Sequence, residues 1–368
     1  MNNRKETLDI LRAIAIFLVL GNHFVLIPQH HLYFRTLMIL WARGGWVGVD
    51  IFFVLSGFLI AGLLFKEQQR FGAISFQRFF IRRGFKIYPA FYAMILISAL
   101  MYALWHHRFY PKSLIIWLFF LQDYWTNQYS KMWGHTWSLA VEEQFYIILP
   151  ILLIILTKVN NSRKDPFTAI PFLFMTIGLV CLGARTIESF FNVLNARNFL
   201  IPFHLRADAL FFGVLISYFY HYDNPKFKRF ASRPKLIFTI GLLLLIPAFI
   251  FGIYKTPFIC TVGFTLFYIG SGLVLVAVVD KKVRSNFFTR TVITIGQCSY
   301  SIYLWHAIIL LNRENLSTWI FHMPFNGVGQ IVIYYLGSIL LGILMTKIIE
   351  FPLLRLRDRF FSSRSAAV

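Results

Sequence analysis

The stretch from Leu8 to Ile27, L-D-I-L-R-A-I-A-I-F-L-V-L-G-N-H-F-V-L-I, decides the class of this chain. It is about twenty residues long and almost wholly apolar, the length a helix needs to cross a bilayer core. Asp9, Arg12 and His23 interrupt it. Arg12 and His23 are eleven residues apart, close to three whole turns, so one helix face carries both, separated by roughly 16 Å of axis. A fixed cation near one membrane surface thus shares a face with a titratable imidazole deep in the span. Ionisable groups inside a membrane helix are expensive and point to function. The plain alternative is that Arg12 snorkels to the headgroups and His23 is a hydrogen-bonded core histidine.

Working outward, 368 residues that are 58% hydrophobic and 18% aromatic, with mean hydropathy +0.65, do not make a soluble domain. Apolar segments recur along the whole length. They predict an all-α, polytopic membrane protein of about ten transmembrane helices, near 8–27, 47–65, 87–105, 137–157, 167–185, 199–220, 236–254, 258–279, 292–311 and 328–350. The run Ser113–Leu121 is too short to cross and reads as interfacial or re-entrant. With the N-terminus in the cytoplasm, the cytoplasmic segments hold 24 of the 36 Lys and Arg residues, the positive-inside pattern, so both termini are expected there. A net charge of +21 raises the question of nucleic acid. The basic residues lie in short loops rather than one patch, which excludes that partner. Arg4 and Lys5 lead into a helix with no small-residue cleavage site behind it, so it reads as an anchor that stays. Cys181, Cys260 and Cys298 read as small core residues, and no metal site is expected. The organisation is a membrane domain, 6–350, and a basic cytoplasmic tail, 351–368, with no internal repeat of the kind many transporters carry.

Five further stretches carry chemistry. W-V-G-V-D-I-F-F-V-L-S-G-F-L-I, from Trp46, has small residues for close helix packing and places Asp50 near the outer surface. F-Q-R-F-F-I-R-R-G-F-K-I-Y-P, from Phe76, sets Arg78, Arg82, Arg83 and Lys86 just before the third span. Such a cluster holds either anionic headgroups or the phosphates of a nucleotide cofactor. H-T-W-S-L-A-V-E-E-Q-F-Y, from His135, puts Ser138, Glu142 and Tyr146 on one face, with Glu142 and Glu143 entering from outside. Without a partner a carboxylate there is costly; otherwise the two are an interfacial acidic pair. H-L-R-A-D-A-L-F-F-G, from His204, buries Arg206 and Asp208, most simply as an ion pair with each other or with neighbouring helices. G-Q-C-S-Y-S-I-Y-L-W-H, from Gly296, aligns Ser299, Tyr303 and His306, with His306 at a depth similar to His23. At the end of the tenth span, Glu350 is placed to pair with Arg12 or the basic segment.

Together these stretches resemble the acyltransferase-3 family of integral membrane acyltransferases, from about residue 6 to 350. The likeness rests on L-D-I-L-R-A-I-A with His23 eleven residues after Arg12, on G-W-V-G-V-D-I-F-F-V-L-S-G-F-L-I, R-R-G-F-K-I-Y-P, T-W-S-L-A-V-E-E-Q-F-Y and S-Y-S-I-Y-L-W-H. The resemblance implies transfer of an acyl group, often acetyl from acetyl-CoA, to a hydroxyl of a sugar or other small acceptor, in the cytoplasmic (inner) membrane. Arg12 and His23 match the family's essential pair. Arg83 and Lys86 match its R-x-x-R, where lysine keeps the charge and loses the guanidinium fork. Some relatives carry an extracytoplasmic hydrolase-like domain, which is not expected in this chain.

On this reading Arg12, Arg82, Arg83 and Lys86 hold the phosphates of the acyl-CoA donor. His23 is general base on the acceptor hydroxyl, or carries the acyl group itself. Glu142 or Asp50 orients the imidazole, as the acid does in hydrolytic triads. His306, Tyr303, Arg206 and Asp208 bind the acceptor, a carbohydrate or lipid-linked glycan. The competing class is a proton-coupled or lipid-linked-sugar transporter, which uses the same intramembrane His, Arg, Glu and Asp.

Overall fold

The computed structural model describes residues 5–24, 32–106, 111–125, 133–160, 164–253, 255–321 and 327–361. Among these the chain is helical, with no strand. The first helix, α1 (Glu6–His23), has Glu6 and Asp9 in its first turn, where carboxylates complement the positive end of the helix dipole. Ala15, Ile16 and Leu20 are fully buried, because neighbours surround α1. They are α2 (Leu32–Gly44), α3 (Val47–Phe71), α11 (Phe264–Val278), α12 (Phe287–Gln297) and α13 (Ser299–Phe321). The remaining elements are α4 (Phe76–His106), α5 (Pro111–Leu118), α6 (Trp137–Val159), α7 (Ile170–Phe191), α8 (Ala207–His221), α9 (Asn224–Phe230), α10 (Pro234–Ile250), α14 (Gly327–Met345) and α15 (Phe351–Phe360).

A helix lies at each expected span. Among the described residues six helices are long and apolar enough to cross a membrane, or up to eight if each of two bent pairs is one span. This is a multi-pass membrane protein. The two expected spans outside that count are α1, which carries Glu6, Asp9 and Arg12, and α8, which is 15 residues long. The eight-residue α5, over the Ser113–Leu121 run, is too short to cross.

Four details depart from the sequence reading. The basic segment before the third span is not a loop: α3 runs to Phe71 and α4 begins at Phe76, so Arg78, Arg82, Arg83 and Lys86 are helical. Hydropathy registers the charges, yet the long aliphatic stems let a helix continue through them. Residues 32–44, expected as loop, form α2. The ninth span breaks by 75° between α12 and α13. The expected tail begins as α15, and its residues 362–368 lie outside the described residues.

Two close approaches set the helix positions. A Cβ on Gly57 would fall 1.9 Å from the Leu210 carbonyl oxygen, and one on Gly213 2.2 Å from that of Val54. The absence of side chains there lets α3 and α8 touch backbone to backbone. A Cβ on Gly296 would fall 1.8 Å from the Asp9 carbonyl oxygen, so the end of α12 lies directly on the first turn of α1.

Gly57→Ala is expected to lower stability by about 1–3 kcal/mol or more, since backbone cannot yield as a side chain does. Gly183, on α7, has open space around its Cβ position, so Gly183→Ala should be neutral or slightly stabilising. Thermal unfolding of both variants in detergent checks the contrast.

Candidate active site

Two polar constellations meet at the centre of the bundle. The first is a cavity of about 220 Å³ lined by Arg12, Ser56, Arg83, Lys86, Ser138, Glu142, Tyr146, Gln297, Tyr300 and Tyr303, with apolar residues between them. Residues from α1, α3, α4, α6, α12 and α13 thus converge on one space. At ~30 Å³ per liquid water it has room for about seven waters, enough for a phosphate group or part of an extended arm.

Its cations are held differently. Arg12 Nη1 donates to Asp9 Oδ1 at 2.7 Å, and Gln297 Nε2 reaches Asp9 Oδ2 at 3.4 Å. Lys86 pairs with Glu350, whose Oε1 also accepts from the hydroxyls of Ser301 and Thr346. Glu350 therefore pairs with the basic segment, one of its two expected partners. The Arg83 guanidinium lies 5.5 Å from the Tyr146 ring centre and 5.8 Å from that of Phe79. Among the described residues no carboxylate forms an ion pair with it. Arg82 pairs with Asp358 at 3.1 Å and donates to the Phe361 carbonyl. Arg83 lines the cavity and Arg82 does not.

Glu142 lies in this cavity. Its Oε2 accepts from the hydroxyls of Tyr146 and Ser56, which are 2.7 Å from each other. Glu143 points elsewhere and accepts from Tyr88 at 3.0 Å.

The second constellation is three imidazoles. The His23 ring centre is 5.0 Å from that of His306 and 6.3 Å from that of His135, and His135 and His306 are 4.7 Å apart. His306 is fully buried, its Nδ1 2.6 Å from the Tyr303 carbonyl oxygen. His135 Nε2 is 3.2 Å from the Leu304 carbonyl oxygen. The bend before α13 carries His306 to His23. The short 3₁₀ turn Gly134–Thr136 sets His135 just ahead of α6. Among the described residues no group of three or more His, Cys, Asp or Glu side chains has the arrangement of a metal site.

The constellations share a wall. The Tyr303 hydroxyl donates to the His135 carbonyl and lies 2.7 Å from Ser138 Oγ. Its one hydrogen is thereby committed, so Ser138 donates to Tyr303. Both residues line the cavity, and Tyr303 also holds His306.

Asp50, Arg206 and Asp208 form a separate group. Arg206 Nη2 donates to Asp50 Oδ1 at 2.6 Å, and its guanidinium stacks 4.1 Å from the Phe264 ring centre. Asp208 pairs with Arg185 at 2.8 Å. All four are at most 1% exposed. Arg206 and Asp208 therefore pair with neighbouring helices rather than with each other.

Sequence reasoning misses His135 and Arg185 as participants, whereas Tyr146 lies with Ser138 and Glu142 on the face expected for it. His135 opens a motif that was recognised, but it precedes the apolar run by two residues. Only the fold turns it inward. Arg185 sits at the end of an apolar stretch with no motif around it.

A family model described as "Acyltransferase domain" matches residues 5–347. A protein of Staphylococcus aureus (strain COL), provisionally named an O-acetyltransferase, is 30% identical over 326 residues, covering 82% of this chain and 50% of its own. The peptidoglycan O-acetyltransferase OatA of Listeria monocytogenes is 27% identical over 369 residues, covering 94% of this chain and 55% of its own. The O-acetyltransferase OatA of Staphylococcus aureus (strain NCTC 8325) is 28% identical over 336 residues, 84% and 52% respectively. The chain spans about half the length of the curated relatives it matches. No solved structure matches it.

Breaking a buried ion pair on one side costs about 3–5 kcal/mol, whereas replacing both partners with apolar groups is often neutral. Asp50→Asn should therefore destabilise the protein by that amount. The double variant Asp50→Leu with Arg206→Met should recover most of it, as read by unfolding in detergent.

Proposed function

Since the chain belongs to the acyltransferase-3 family, we propose that it is an O-acyltransferase of the cytoplasmic (inner) membrane, moving an acetyl group from acetyl-CoA to a hydroxyl of an envelope carbohydrate. Family membership favours this over the transporter reading. The observation that carries the proposal is the junction of the cationic cavity with the three imidazoles across Ser138 and Tyr303. Phosphate recognition and proton transfer are the two tasks of this chemistry, and they meet on one helix, α1, through Arg12 and His23.

The N-terminus and the basic segment of α4 face the cytoplasm in this reading, so the donor enters from that side. Arg83 suits a donor phosphate best. Its guanidinium lies within cation–π distance of Tyr146 and Phe79 without a carboxylate ion pair among the described residues, and an arginine fork makes paired bonds to a phosphate. The arm of the donor then follows α1 from Arg12 toward His23, roughly 16 Å along the axis.

His23 takes the proton of the acceptor hydroxyl as the oxygen attacks the thioester carbonyl. The new C–O bond forms, the C–S bond breaks, and the leaving thiolate receives the proton from the imidazolium. Both ends of the reaction are thus charge-balanced. A carbohydrate acceptor is supported by the Listeria relative, whose name assigns it peptidoglycan.

The test is release of free coenzyme A from acetyl-CoA by purified protein in detergent, with and without envelope oligosaccharides, and mass spectrometry of the glycan product. His23→Ala should lower turnover by a factor of order 10² to 10⁴, with normal insertion and unfolding temperature. Near-wild-type turnover would remove His23 from the mechanism.

Arg83→Ala should raise the KM for acetyl-CoA by about ten-fold or more, the loss of a charge-assisted bond. Lys86→Ala should act mainly on stability, because it strands Glu350 (2% exposed) without its cation. Binding of a CoA analogue, measured beside the unfolding temperature, separates the two effects.

A further inference from the structure

We infer that His306 is the positioning residue of the proposed base: its Nε2 accepts an N–H from His23, doing with a neutral imidazole what a carboxylate does in hydrolytic triads. The inference rests on the acyltransferase reading for its consequence in turnover, but not for its geometry.

Backbone carbonyls fix the tautomer. A carbonyl oxygen only accepts hydrogen bonds, so the nitrogen facing it carries the proton. His306 Nδ1 faces the Tyr303 carbonyl at 2.6 Å, so the hydrogen sits on Nδ1 and Nε2 holds a lone pair. That Nε2 is buried and has no hydrogen-bond partner among the described residues. An imidazole lone pair sealed from water is a costly vacancy unless a donor comes to it.

The donors within reach are few. His306 is enclosed by the rings of His23, His135, Tyr303 and Tyr334, at centre distances of 5.0, 4.7, 5.9 and 6.4 Å. Tyr303 has given its hydrogen to the His135 carbonyl. The Tyr334 hydroxyl has given its own to the Leu20 carbonyl at 3.2 Å. His135 faces the Leu304 carbonyl through Nε2, so that nitrogen's hydrogen is likewise committed. His23 remains, its ring tilted 42° to that of His306. No hydrogen bond joins the two at rest. Catalytic hydrogen bonds are commonly long without substrate and tighten once it is bound.

The consequence is directional. When one His23 nitrogen donates to His306, its other nitrogen is left as the bare base for the acceptor hydroxyl. As His23 takes the acceptor proton it becomes an imidazolium, and the His306 lone pair stabilises it without adding a negative charge to an apolar interior. The carboxylates expected for this task, Glu142 and Asp50, are engaged by Tyr146 with Ser56 and by Arg206 respectively.

The experiment compares His306→Leu, which has no acceptor, with His306→Gln, whose amide can donate to the Tyr303 carbonyl and accept from His23. The expected result is a kcat about 100-fold lower for leucine, recovery to within ten-fold of wild type for glutamine, and KM values for acetyl-CoA and acceptor unchanged in both. Nitrogen-15 spectra of labelled histidines should show one His23 tautomer in wild type and glutamine protein and a mixture in the leucine variant. If the leucine variant does not insert, His306→Phe carries the same comparison. An unchanged kcat for leucine, a change confined to the acceptor KM, or an unmoved His23 signal would each overturn the inference. Failure of the wild-type protein to release coenzyme A would overturn the acyltransferase reading instead, with the spectra still testing the geometry.

Discussion

The contact of Gly296 with the Asp9 carbonyl governs how this centre is assembled. It seats the end of α12 on the first turn of α1, where no side chain other than hydrogen would fit. From there the chain must turn sharply, and it does so by 75° before starting α13. Gln297, ahead of the turn, reaches Asp9, and beyond the turn Tyr303 reaches Ser138 and His306 lies beside His23. A straight span over the same residues would place these groups along a different line. The break is thus a constructional requirement of the site, and the backbone contact with α1 is its anchor.

The ionisable groups inside the bundle divide by whether an opposite charge holds them. Asp50 with Arg206, Asp208 with Arg185, and Glu350 with Lys86 are short ion pairs. Pairs of this kind are costly to break and hold helices in register. The Arg83 guanidinium and the His306 Nε2 are placed differently: each sits in a polar enclosure without its natural partner among the described residues. Evolution tolerates such groups where a ligand or a moving proton completes them. The first belongs at the phosphate end of the proposed donor path, the second at its reactive end.

The wall between those ends matters as much as the ends themselves. Tyr303 touches both constellations, yet its hydroxyl hydrogen terminates on a carbonyl, which does not take up protons at neutral pH. In the proposed reaction, the pair with Ser138 would keep a proton collected at His23 near the leaving sulfur rather than pass it to the carboxylate of Glu142.

Fold class was legible in the sequence because bilayer thickness converts directly into a length of apolar residues, and a helix is the structure that satisfies its own backbone there. Helical periodicity alone puts Arg12 and His23 on α1 about three turns apart, while the Arg12 partner, Asp9, is set by the structure. That Glu350, Arg206 and Asp208 would be paired followed from the cost of a lone buried charge, but which of the alternative partners each takes came only with the structure. Helix continuation through Arg78 to Lys86, the α2 helix and the bend before α13 were not legible. Each depends on stems lying along neighbouring helices or on a backbone contact with a distant segment. The role of His135 was hidden for a similar reason, since its inward position comes from a single 3₁₀ turn. Most of all, which nitrogen of which histidine carries a proton is decided by backbone carbonyls of α13. No pattern of side chains along a chain encodes that, because it depends on where the folded backbone leaves its acceptors.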